Sequence, residues 1–448
     1  MITPEQFEEF LYLPEPRRRL NEIVSDLCDG ISIICTLPVP IKQDVFYLVI
    51  AEECRKIGVE CKIFAYDASE LLPENYIAQC CGVRLSPGEQ VSIEQIFEEG
   101  GIADVTIITL SELSSDMVRH WTRMLRQWSA YARTYQARTK QCPRALMLVT
   151  NQAELNRSVK DDVYLKRYYF WGWISTVELL LVARSIAWEL GLTLEESLWV
   201  ESVFVELAGT DPELLFWLLD RCRVTDISSA RDLITRDMLT GDVITRDQMV
   251  EQLLAFCEEK GWAEEQVSAG LDTGGNNNEF AQNRPLTPPS DLDPLWCAGM
   301  ANWNDNDGVF IHSATLALQG DTATLEHRIW RGQARVLLPL LDRVRQEICD
   351  YLNRNFKQKL VSFCEANRNP NLPGDASCQN GVAEYSVIVD FFRLNESKSK
   401  VLKQLRRPVD YLRLARNNLA HYEPLGWLQF SQMISEVKKV ESLVTVTN

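Results

Sequence analysis

The residues best suited to chemistry lie near the C-terminus, in Leu412-Arg413-Leu414-Ala415-Arg416-Asn417-Asn418-Leu419-Ala420-His421-Tyr422-Glu423-Pro424. Asn417 and His421 are four residues apart and therefore neighbours on one helical face. Arg416 is offset from that column by about 40°, because each helical residue turns by about 100°, and its long side chain can bridge the gap. A fixed cation, an amide and a group that titrates near neutrality converge at one helix end. That set suits phosphate chemistry: a guanidinium grips a phosphodiester with forked donors, and an imidazole moves a proton. Arg406, Arg407 and Arg413 on the same helix could grip flanking phosphates. The plainer alternative is a helix terminus whose Arg and His complement its dipole.

The elements that must position these residues are helical. Val409, Leu412 and Leu419 recur at helical spacing, and Pro424 is a stop signal. From about residue 306 the pattern is helical to the end. Leu325–Ala366 places an apolar residue near every fourth position and begins with Trp330-Arg331-Gly332-Gln333. A Pro/Gly/Asn loop follows over Asn367–Asn380. Val382–Leu394, Lys398–Tyr422 and Trp427–Val444 supply three further helical segments. Helices with short connections predict an up-and-down bundle over 306–448.

The Arg-Asn-x3-His pattern on a terminal amphipathic helix resembles the signature of HEPN domains, helical bundles found in many endoribonucleases of bacterial immunity and toxin systems. His421-Tyr422-Glu423-Pro424-Leu425, with Trp427 close behind, is similar to the abortive-infection type in particular. The resemblance implies metal-independent RNA cleavage. His421 would act as acid or base, Arg416 would stabilise charge on the phosphate, and Asn417 would position the substrate or orient the imidazole. It also implies a homodimer through the C-terminal domain, since one copy supplies too few groups for both proton transfers. A non-catalytic HEPN adaptor or regulator that dimerises and binds a partner protein is the alternative, and a regulatory protein partner is possible under either.

Strand and helix signals alternate in the first third of the chain. Ile31–Leu37, Val59–Ala65, Val105–Leu110 and Ala145–Thr150 are short apolar runs of strand length. Helical patterns over Ile41–Ile57 and Ser114–Arg138 lie between them, and Asp162–Trp171 is a candidate further strand. This order predicts a parallel sheet with helices on both faces. It resembles a P-loop NTPase core of the AAA or STAND kind, and the resemblance can be checked residue by residue. A phosphate-binding loop needs Gly-x4-Gly-Lys-Ser/Thr after the first strand. The aligned residues here are Thr36, Ile41, Lys42 and Gln43, with Pro38 and Pro40 between. Only the Lys matches, and two prolines remove donors where donors are required. The third strand ends in Leu110-Ser111-Glu112 in place of Asp-Glu, while Asn151 stands where such folds keep a polar sensor. The expectation is a degenerate P-loop-like domain over 1–155 that has lost nucleotide hydrolysis. Lys42, Glu112 and Asn151 are its remaining nucleotide-binding candidates.

A helical lid is expected over 156–265, with Trp171, Trp173, Trp188, Trp199 and Trp217 spaced for burial between helices. The Gly/Asn- and Pro-rich stretch over 266–305 reads as linker, its far end anchored by Trp296 and Trp303. The fold class expected is thus α/β plus all-α.

Charge is uneven along the chain. The net is −17, yet residues 321–448 carry 19 Lys and Arg against 14 Asp and Glu, leaving 27 against 49 in residues 1–320. An acidic N-terminal part repels RNA, so only the C-terminal domain could accept an anionic partner. Thirteen Cys without a Cys-x2-Cys pair predict reduced thiols in the cytoplasm. Four unclustered His argue against a structural zinc site, and no cofactor is expected. The most apolar run, Ile174–Trp188, is cut by Glu178 and Arg184, so it predicts a buried helix and not a membrane span.

Overall fold

The computed structural model describes residues 3–39, 41–67, 71–83, 91–99, 103–221, 241–264, 287–305, 307–366, 378–379 and 382–445. These fall into two compact units: Met1–Leu179 with Thr210–Glu213 and Ala263–His312, and Leu180–Gly209 with Leu214–Trp262 and Ser313–Asn448. The chain is mixed α/β, with one parallel sheet and many helices. No described helix is long and apolar enough to cross a membrane.

The first unit is built on five strands: β1 (Ser32–Thr36), β2 (Cys61–Tyr66), β3 (Val105–Leu110), β4 (Ala145–Thr150) and β5 (Leu165–Tyr169). Their order is β2-β3-β4-β1-β5, and every pairing is parallel. The central strands β1 and β4 are buried along their whole length, as continuous apolar runs in a parallel sheet require. Ile34, Ile108, Leu146 and Leu148 pack into one cluster with Trp121 and Trp128 of the Ser115–Thr139 helix. Elsewhere in the unit, Phe46 of the Gln43–Lys56 helix meets Phe170 edge-on, with ring centroids 4.8 Å apart. Arg19 is buried: its Nη1 donates to the Tyr169 carbonyl and its Nη2 to those of Trp171 and Gly172, which terminates the chain end of β5.

The connection leaving β1 crosses the sheet to β2, whereas the one leaving β4 goes the other way, to β5. The carboxyl ends of β1 and β4 therefore form the topological switch point, where α/β sheets open a crevice. Here it is lined by a segment expected to be linker. Residues 287–311 fold back as a short helix, Asp293–Cys297, and an antiparallel pair, β6 (Ala301–Asn304) and β7 (Gly308–Ile311). Trp296 is fully buried against Tyr169 and Trp171. Asn302 Oδ1 accepts the Gly172 N–H at 2.7 Å. Gly172 has φ +56, and a Cβ there would lie 3.0 Å from Trp303. The linker and the all-helical stretch from 306 thus both need correcting: paired strands lie across that boundary. The polar tract over 274–286 lies outside the described residues.

The second unit is helical. Leu194–Ala208 runs as one helix with a π turn at Val200–Phe204. It packs beside the long Thr322–Ala366 helix, which kinks at Phe356. Gly332 is the point of closest approach, since a Cβ there would lie 1.7 Å from the Ser202 carbonyl oxygen. Buried Glu206 accepts from Arg331 at 2.8 and 3.0 Å and from Arg335 at 2.5 Å. Trp199 packs edge-on against Trp427 and Phe430. Helices Tyr385–Asn395, Lys400–Ala420 and Trp427–Thr445 complete the unit, the first preceded by the short pair β8 (Cys378–Gln379) and β9 (Val382–Ala383). Residues 367–377 and 380, expected as loop, lie outside the described residues. The tryptophan expectation also needs one correction: Trp171, Trp173, Trp199 and Trp217 are buried, but Trp188 is 88% exposed.

Candidate functional site

Val409, Leu412, Ala415 and Leu419 seat one face of the Lys400–Ala420 helix in the core, leaving the opposite edge to polar groups. His421 is the C-cap, its N–H shared between the Asn417 and Asn418 carbonyls. Tyr422 follows in the left-handed region at φ +66, and the Glu423 N–H returns to the Asn418 carbonyl at 2.9 Å. This closes a Schellman-type end. A non-glycine residue holds that conformation because its surroundings restrain it: the Tyr422 ring lies 4.5 Å from that of Trp330.

Trp330 and Gln333 fasten this segment from the long helix. The Trp330 indole donates to the Leu419 carbonyl at 2.6 Å, satisfying one of the orphan acceptors at the helix end. Fully buried Gln333 clamps Leu425 twice, donating to its carbonyl at 2.8 Å and accepting its N–H at 2.7 Å. Together with Arg331 on Glu206 and Gly332 under Ser202, each residue of Trp330-Arg331-Gly332-Gln333 thus has a separate structural task.

Arg413, Arg416 and Asn417 line an open pocket of about 350 Å³, whose other wall is Glu384, Tyr385 and Ser386. Those three are the cap and first turn of the Tyr385–Asn395 helix, the end at which an α-helix leaves backbone N–H groups without intrahelical partners. Arg416 is exposed, Asn417 half-buried, and neither side chain is bonded to another described residue. Arg413 donates through Nε to Asp410 at 2.9 Å. Arg406 is held bidentately by Glu396 at 2.8 and 2.9 Å, which raises its pKa. Arg407 is exposed. His421 sits one turn beyond Asn417, exposed and outside the pocket lining. One chain therefore brings together Arg413, Arg416 and Asn417, and does not bring His421 into the same pocket.

The nucleotide-site candidates are placed differently. Lys42 caps the Gln43–Lys56 helix in extended conformation, Glu112 is exposed beyond β3, and Asn151 is half-buried beyond β4. The loop between β1 and that helix spends its donors internally. The Leu37 N–H goes to the Thr150 carbonyl, Val39 to Cys297 and Ile41 to Pro38, and Pro38 and Pro40 carry no N–H. The buried amide at the end of β1 is Asn156, donating to Thr36 Oγ1 at 2.8 Å.

A further pair, buried His312 and half-buried Asp211, was not legible in the sequence. His312 Nε2 lies 3.2 Å from Asp211 Oδ2, within a small pocket lined also by Phe7, Pro38, Trp173 and Glu213. Nothing in the spacing of residues 211 and 312 joins them; β7 and the start of the Pro212–Arg221 helix do. No group of His, Cys, Asp and Glu among the described residues is arranged to hold a metal. No protein-family model matches the chain, and no curated protein matches it.

Proposed function

We propose that the chain is a HEPN-type endoribonuclease acting as a homodimer. The observation that carries this reading is the pocket shared by Arg413, Arg416, Asn417 and the first turn of the Tyr385–Asn395 helix, with His421 at the C-cap one turn beyond Asn417. Uncommitted guanidinium and amide groups beside helix N–H donors suit a phosphodiester. Arg416 stabilises the charge developing on phosphorus, and His421 transfers the proton at the ribose 2′-hydroxyl or the leaving oxygen. Two-fold pairing of the C-terminal units supplies a second His421, so that acid and base are separate groups.

The first unit then serves as a degenerate P-loop-like control module. Its sheet order and switch point support that reading, and the consumed loop donors argue against phosphate binding there. The deciding experiment incubates wild type and His421→Ala with single-stranded RNA in the presence of EDTA. Cleavage by wild type alone supports the proposal, and intact RNA with both proteins overturns it.

A second reading is a non-catalytic adaptor. It is favoured by an exposed apolar stripe, Val177, Leu181 and Trp188, at helical spacing on the Thr176–Glu189 helix. Soluble chains seldom leave a tryptophan in such a stripe uncovered unless a partner covers it. Under this reading His421→Ala changes nothing, whereas Trp188→Ser abolishes capture of the partner.

A further inference from the structure

The pocket beside Arg416 contains one group that a phosphodiester would not select. Glu384 lines it with Tyr385 and Ser386, across from Arg413, Arg416 and Asn417. Glu384 is the N-cap of the Tyr385–Asn395 helix, yet its side chain makes no capping hydrogen bond. Its carboxylate is instead steadied from the long helix. Oε1 lies 3.4 Å from Nη1 of Arg345, which also donates to the Ala383 carbonyl at 3.2 Å, while Nη2 of Arg345 donates to Asp342 at 2.5 Å. The Glu384 side chain remains 38% exposed. The pocket is therefore two-ended, with an anion on one wall and guanidinium and amide donors on the other. Its volume of about 350 Å³ is in the range of small-molecule sites and more than one phosphate group fills.

We propose that this pocket takes a guanine base of single-stranded RNA, with Glu384 accepting from its N1–H and N2 amino group and Asn417 donating to O6 or N7. The proposal rests on the nuclease reading of the same pocket and adds a base preference to it. Unpaired bases in RNA offer their Watson–Crick and Hoogsteen edges to side chains. Guanine alone places two adjacent N–H donors on its Watson–Crick edge, so it alone meets a carboxylate with two hydrogen bonds. Adenine and cytosine offer one amino group beside ring-nitrogen acceptors, and uracil one N–H between two carbonyls. Each of those three turns an acceptor toward Glu384. The acceptors O6 and N7 of guanine suit an amide or a guanidinium, which Asn417 and Arg413 supply on the facing wall.

Charge favours the same occupant. A cationic ligand would meet Glu384 but be repelled by Arg413 and Arg416, and a free anion would meet the reverse. A guanine base is neutral and presents donors to one wall and acceptors to the other. Arg416 is then left for the phosphate of that nucleotide, which like-charge repulsion keeps away from Glu384. A wrong base leaves the carboxylate facing acceptors, and a polar site mismatched in this way discriminates more strongly than an apolar one. Glu384 is a specificity residue that touches the base, and Arg345 is the positioning residue that holds it.

The test uses the full chain and measures binding apart from cleavage. Guanosine 3′-monophosphate and its inosine, adenosine, cytidine and uridine counterparts are titrated by calorimetry into wild type and Glu384→Gln. Wild type should bind the guanosine nucleotide about tenfold or more tightly than the adenosine, cytidine and uridine ones, with inosine, which lacks the N2 amino group, in between. In Glu384→Gln the preference should collapse while the other three bind as before, which also shows that the variant is folded. Equal affinities for all four bases, binding of none, or a preference that survives Glu384→Gln unchanged overturns the proposal. The wild-type affinities decide by themselves if the variant folds poorly. In parallel, wild type is incubated with a mixed-sequence single-stranded RNA and the cut ends are sequenced. Cuts confined to guanosine support the proposal. Cuts at all four bases overturn it and leave the nuclease reading standing, whereas guanosine-selective binding with uncut RNA keeps the base pocket and removes the nuclease reading.

Discussion

Two places in this chain have the raw materials to hold a phosphate, and they differ in what their donors are doing. At the end of β1, a lysine and a strand-to-helix turn stand at a switch point, but the N–H groups of Leu37, Val39 and Ile41 already have carbonyl partners. At the end of the Lys400–Ala420 helix, Arg416 and Asn417 face the open first turn of a neighbouring helix without such commitments. Position in a fold thus says where a ligand could sit, while unspent hydrogen-bonding capacity says whether the site is ready for one.

The largest expected effect tests the second place directly. His421→Ala or Arg416→Ala should lower RNA cleavage by about 10²- to 10⁴-fold, whereas Lys42→Ala should leave it unchanged; equal losses from all three would erase the contrast. Next come the residues that build the helix end. Gly332→Ala drives a methyl group into the Ser202 carbonyl, and overpacking of this kind costs about 1–3 kcal/mol or more. A clear fall in the urea midpoint is expected, and an unchanged midpoint would mean the two helices can part without cost. Gln333→Ala strands the Leu425 N–H and carbonyl, each such buried group costing about 1–3 kcal/mol. Cleavage should decline with stability in this variant, although Gln333 lies outside the pocket. The smallest effect belongs to the first place. A nucleotide at ten times its Kd would stabilise the fold by about 1.4 kcal/mol, so an unmoved melting curve in millimolar Mg-ATP is the expected result. A rise would reopen the crevice as a binding site.

Much of the sheet unit was readable from pattern alone. The runs Val105–Leu110 and Ala145–Thr150 are strands with those same bounds, because buried parallel strands must be continuously apolar. What escaped depended on distant partners. Nothing near Val200 announces a π turn, and the close packing of Gly332 against Ser202 is visible only in three dimensions. The β6–β7 pair was hidden in a polar stretch because its strands are four residues each and hold to the sheet unit through Trp303 and Asn302. At the candidate site, the Arg416–Asn417–His421 spacing was legible as helical geometry. The facing wall from Glu384 to Ser386 was not, since it comes from another helix. Trp188, on a helix that reads as buried throughout, shows the converse error: hydrophobicity alone does not say which face is covered.

The double clamp of Gln333 on Leu425 bears on how small a working fragment can be. The turn carrying His421 is fastened by side chains that precede it by about ninety residues, so a peptide spanning only 382–445 would keep Arg416, Asn417 and His421 and lose the geometry that aligns them. A fragment meant to preserve that turn has to keep the long helix from its first turns.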